Sequence, residues 1–163
     1  MAEQLELWTD FNVAMVGATA ALAGLVIVAA SVNIGEIIKA RSLTARLAAG
    51  IAALVLAIVS SGLGLIPTVT PLWYGILLIV AAVGAGTFQV LATRAIFADH
   101  DPAAQAKLAK SVFGFLPIAA YVVAGAAVAL GHPAGLSFAA AGCLLAIVAA
   151  IVVSWVVLVE VLR

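Results

Sequence analysis

Five stretches of this chain run for about 20 residues each without a charged side chain, and each is long enough to cross a lipid bilayer as a helix. They lie at about 11–32, 47–66, 72–93, 112–130 and 136–158. A helix rises about 1.5 Å per residue, so some 20 residues span the roughly 30 Å of hydrocarbon. Backbone crossing lipid must satisfy its own amides and carbonyls, which a helix does within one segment. The spacing therefore predicts an all-α integral membrane bundle of five transmembrane helices, forming a single domain over 1–163 with no soluble domain.

Composition points the same way. Hydrophobic residues make up 67% of the chain and charged residues 9%, where a soluble domain carries about a quarter charged. Basic and acidic side chains number seven each, so no basic excess argues for nucleic acid, and no nucleic-acid partner is expected. The single cysteine, Cys143, lies inside the fifth run, where it packs as a small hydrophobe. The opening MAEQLELWTD lacks the positive n-region of a secretory signal, so the first helix is expected to stay in the mature protein.

The segments between the runs carry their own signals. Asn33 to Arg46 holds Glu36, Lys39, Arg41 and Arg46, yet places Ile34, Ile37, Ile38 and Leu43 at near-helical spacing, which predicts a short interfacial helix or a helical extension. PTVTP, Pro67 to Pro71, is stiff and short enough to make helices two and three a hairpin. Trp73 and Tyr74 just beyond it favour the headgroup level. Asp101 and Pro102 form an N-cap and first-turn pair that starts a helix leading into the fourth run. Pro117 within that run predicts a bend, and GHPAG, Gly131 to Gly135, makes a second tight turn.

Charge sets the expected orientation. Lys39, Arg41 and Arg46 follow helix one, Arg94, Lys107 and Lys110 separate helices three and four, and Arg163 follows helix five. All seven basic residues thus fall on one side, and short cytoplasmic loops are the ones enriched in Lys and Arg. The expectation is a multi-pass protein of the bacterial inner (plasma) membrane, with its N-terminus outside and its C-terminus in the cytoplasm.

Ionisable residues at membrane depth mark proton relays and ion paths, and the five runs contain none. His100 and His132 fall on opposite sides, and neither paired aspartates nor a serine with a base occurs in a span. The chain is read as a non-enzyme with no cofactor. Serine and threonine in the spans can bond back to their own helices. Gln89 cannot satisfy its amide that way, so it is the candidate interhelical or pore-lining polar residue.

Small residues at intervals of four let helix backbones approach closely where lipid supplies no hydrophobic drive. Candidate packing residues are Gly17 with Ala21, Ala20 with Gly24, Ala82 with Gly86, and Gly125 with Ala129, together with Gly135, Ala139 and Cys143. More such faces exist than one five-helix bundle can use, which predicts a homo-oligomer.

The stretch FNVAMVGATAALAGLVIVAASVNIGEII, with the later span ending SSGLGLIP, resembles a family of small, uncharacterised, largely actinobacterial-type polytopic membrane proteins. The resemblance covers about residues 8–67, carried by Phe11, Gly17, Ala18, Ala20, Ala21, Leu22, Gly24, Leu25, Val26, Ser31, Asn33, Ile34 and the Leu65 to Pro67 ending. It implies a class of protein and no activity.

The expected role is a non-enzymatic helical-bundle protein that forms a homo-oligomer or serves as an accessory subunit of another membrane protein. Lys39, Arg41, Arg46, Arg94, Lys107 and Lys110 are then candidate contacts to lipid headgroups or a partner. A passive channel for a small neutral solute is the alternative, and a lipid- or small-hydrophobe-binding protein the second alternative.

Overall fold

The computed structural model describes residues 6–39, 41–98 and 107–161, with backbone alone at 107–110, 157–158 and 160–161. The helices bounded within the described residues are, in order, α1 Thr9–Val32, α2 Ile34–Ile37, α3 Arg41–Leu63, α4 Pro71–Ala98, α5 Lys107–Ala129 and α6 Ala134–Val161. All but α2 contain a stretch long and apolar enough to cross a membrane. The expected starts at Asp101 and Pro102, like His100, lie outside the described residues.

The segment after α1 divides differently from a single interfacial helix. The amides of Glu36 and Ile37 both bond to the Asn33 carbonyl at 3.1 Å, which closes the single turn of α2. Helix α3 then begins at Arg41, six residues before the second apolar run. Leu43 drives this extension: it is buried in a small cluster with Ala30 and Ile37. Arg41 and Arg46 are consequently residues of a spanning helix rather than of a loop.

Local chemistry sets the two tight turns. Pro71 occupies the first position of α4, where its missing amide costs nothing, and the Trp73 amide reaches back to Thr70 Oγ1 at 3.4 Å as a long N-cap bond. Helix α5 ends in a Schellman turn: the His132 amide bonds to the Ala127 carbonyl at 2.8 Å and the Gly131 amide to Val128 at 2.9 Å. Gly131 takes the left-handed φ of 81° that this turn requires. Pro117 sits inside α5 and is fully buried.

Helices α3, α4, α5 and α6 form a ring in which each packs on the next and α6 returns to α3. Neighbours run antiparallel, the up-and-down order of a four-helix bundle. Helix α1 packs outside the ring, against α3 and only marginally against α6. Burial follows this order: half of the α3 span is buried, but only 22% of the α1 span. The core is mainly alanine, with Leu56, Leu78, Tyr121 and Val128 as its larger fully enclosed side chains.

Alternation of the spans gives the bundle two distinct ends. One holds the start of α1 and the turns at 64–70 and 130–133; the other holds Lys39, Arg41, Arg46 and Arg94.

Candidate functional site

At the basic end the four-helix ring lines a partly open cavity of about 70 Å³. Arg46 and Gly50 of α3, Gln89 and Ile96 of α4, Gly114 of α5 and Val153 of α6 are among its walls. The spacing of Arg46, Ala49, Gly50 and Ala53 puts one face of α3, small-residue beyond Arg46, on the cavity. Arg46 is only 8% exposed, unlike Lys39, Arg41 and Arg94, which are exposed. A buried guanidinium is the costliest group in this part of the bundle, and it has an interaction partner.

Gln89 is buried to the same extent and lies across the α4–α5 interface on Gly114. A Cβ at Gly114 would overlap the Gln89 amide, so glycine is what admits the amide there. Gln89 thus points into the protomer's own interior, not outward toward lipid.

Three hydroxyls belong to the same level of the bundle. Thr93 is one turn beyond Gln89, Ser111 one turn before Gly114, and Ser154 adjoins Val153. Their oxygens are buried without a hydrogen-bond partner among the described residues. An unmet buried hydroxyl costs about 1–3 kcal/mol, and none of the three lines the cavity, whose walls are mainly apolar.

A second polar group lies toward the opposite end. Ser60 and Tyr74 are 3.4 Å apart through their hydroxyls, with Ser61, Tyr121 and Cys143 buried in the same half. Asn12 of α1 is 8% exposed and rests against Gly64, under the edge-to-face pair of Trp8 and Phe11. The space among Asn12, Ser60, Ser61 and Tyr74 is about 10 Å³, close to what one water needs. Among the described residues no three His, Cys, Asp or Glu side chains are grouped to hold a metal ion.

The third feature is an open groove of about 740 Å³ at the basic end, between the first turn of α3 and the last turns of α4. Arg41, Ser42 and Ala45 line it from α3, and Leu91, Arg94, Ala95 and Ala98 from α4, with Lys39 at its edge. Lys39 is paired with Glu36 at 2.6 Å. The side chains of Lys107 and Lys110 lie outside the described residues.

The small residues divide between inside and outside. Ala82, Gly125, Gly135, Ala139 and Cys143 are buried within the bundle, and Gly86 and Ala129 are half-buried. Gly17, Ala20, Ala21 and Gly24 are exposed on α1, and a Cβ added at Gly17 or Gly24 would meet nothing within 4 Å.

Sequence reasoning singled out Gln89 but missed the burial of Arg46 and the unmet hydroxyls of Thr93, Ser111 and Ser154. The available signals were the small-residue face Arg46–Ala49–Gly50–Ala53 and the i, i+3 pair Ser111 and Gly114. No family model, curated protein or solved structure matches the chain.

Proposed function

We propose that this protein is a non-enzymatic assembly component of a bacterial plasma membrane, self-associating through the outward face of α1, with its basic end in the cytoplasm. The observation that carries this reading is the uncovered pair Gly17 and Gly24, seven residues apart on the face that α3 does not touch. Glycine within a helix costs about 0.5–1 kcal/mol relative to alanine. Lipid tails pack as well against a larger side chain, so such glycines are offset by the close approach of another helix backbone. The α4–α5 contact uses glycine in that way inside the same molecule. The orientation is supported by the gathering of Lys39, Arg41, Arg46 and Arg94 at one end. The likeness of residues 8–67 to small polytopic membrane proteins adds the class.

A path for a neutral solute draws less support. Gln89 lies inside the protomer, away from the α1 face, and Leu78, Tyr121 and Val128 fill the middle of the bundle at 0% exposure. Native mass spectrometry of protein released from lipid nanodiscs tests the proposal. A defined homo-oligomer that Gly17→Leu with Gly24→Leu reduces to monomer supports self-association. A wild-type monomer carrying a second protein points to the accessory-subunit form, and a bare monomer overturns both.

A further inference from the structure

The open groove at the basic end combines charge, shape and position in a way the packing of the bundle does not require. Its residues come from single faces of two helices: Arg41, Ser42 and Ala45 on α3, and Leu91, Arg94, Ala95 and Ala98 at i, i+3, i+4 and i+7 on α4. Three of its lining residues, Ala45, Ala95 and Ala98, are alanines, whose short side chains leave about 740 Å³ open. Arg41 and Arg94 are both exposed and line the groove from its two helices. Lys39 at the edge is held by Glu36, so the two guanidinium groups carry the positive excess of the groove.

We propose that this groove binds one anionic glycerophospholipid, with Arg41 and Arg94 clamping its phosphate from the two helices. Guanidinium presents paired N–H donors whose geometry matches phosphate oxygens. Both arginines lie at helix ends, where the headgroup layer meets the protein, and basic pockets between spanning helices suit anionic headgroups. The wall that Leu91 contributes, one turn from Arg94, is apolar and exposed, so acyl chains have a surface to follow into the bilayer. A soluble phosphate ester would leave that wall unused. The inference takes from the proposed function only the placing of the basic end in a headgroup layer, and it does not depend on subunit number.

The test is native mass spectrometry from nanodiscs holding equal amounts of phosphatidylglycerol and phosphatidylcholine in both leaflets, reading bound lipid per chain in whatever assembly is released. Wild-type protein retains phosphatidylglycerol preferentially. Arg41→Gln with Arg94→Gln lowers that preference by roughly 30-fold, the equivalent of about 1 kcal/mol for each cation. Ala95→Phe keeps every charge but puts a bulky ring on the groove lining, and it also loses the preference. Equal retention of the two lipids by the wild type, or a wild-type preference in the double variant, overturns the proposal. Loss in the double variant with full retention in Ala95→Phe also overturns it, since diffuse surface charge then accounts for the binding. A bare monomer that still selects phosphatidylglycerol sinks the self-association reading and leaves this one standing.

Discussion

Gly75 of α4 and Gly125 of α5 meet backbone to backbone: a Cβ on Gly125 would stand 2.7 Å from the Gly75 carbonyl oxygen, and one on Gly75 would strike the Gly125 carbonyl and Ala129. Neither obstruction is a flexible side-chain tip, so the helices themselves must part to admit a methyl group. This contact fixes how closely the ring closes between α4 and α5, the most extensive helix pair in the bundle.

Gly75→Ala or Gly125→Ala is therefore expected to destabilise the protein by about 1–3 kcal/mol, the usual cost of overpacking a filled interior. Gly24→Ala is the contrast. A Cβ there meets nothing in the protomer, so monomer stability should rise by about 0.5–1 kcal/mol from helix propensity. Reversible unfolding in bicelles measures both, and equal costs at Gly75 and Gly24 would contradict the assigned packing.

The Gln89–Gly114 contact predicts a coupling. Gly114→Ala forces the Gln89 amide aside, whereas in a Gln89→Ala background the new methyl has no amide to displace. A double-mutant cycle should return an interaction of about 0.5–3 kcal/mol, with the double variant more stable than the sum of the singles predicts. Strict additivity would place Gln89 elsewhere.

Tyr121 separates the worth of a ring from that of its hydroxyl. The ring is fully buried and packs about 3.1–3.2 Å from where a Cβ on Gly142 would sit, while its hydroxyl has no hydrogen-bond partner among the described residues. Tyr121→Phe should be neutral or stabilising by up to about 1 kcal/mol, and Tyr121→Ala should cost about 3–5 kcal/mol through the cavity it leaves. A large loss in the phenylalanine variant, read by thermal unfolding, would reveal a bonded hydroxyl.

Gly131 tests the turn between α5 and α6. Its φ of 81° is a strained conformation for any residue with a Cβ, so Gly131→Ala should cost about 1–2 kcal/mol although the site is exposed and nothing lies within 4 Å. An exposed glycine with ordinary φ, such as Gly17, should show no such loss in the monomer.

Much of the architecture can be read from the order of residues. Three of the five apolar runs fall inside their helices, while 47–66 overruns its helix by three residues and 112–130 by one, and Pro71 and Gly131 mark a helix start and a helix end through their fixed or permitted φ. The candidate sites were less legible. Gln89 stands out in any apolar run because its amide needs a partner, but Arg46 reads as a loop cation until α3 is seen to begin at Arg41. Leu43 causes that difference, since its burial beside Ala30 and Ile37 draws the basic segment into the helix.

By itself the sequence determines the number of spans, their approximate limits and the gathering of basic residues at one end, because helix length and hydrocarbon thickness are matched quantities and charge cannot stay in lipid. Only the tertiary structure decides which faces meet. The pairs Gly17/Ala21 and Gly125/Ala129 have the same spacing, yet the first is exposed and the second packs on Gly75. In water an amphipathic stripe would have told them apart. In a bilayer both the core and the surroundings are apolar, so the inner face of a helix is chosen by backbone approach and van der Waals fit, which depend on partners far away in the chain.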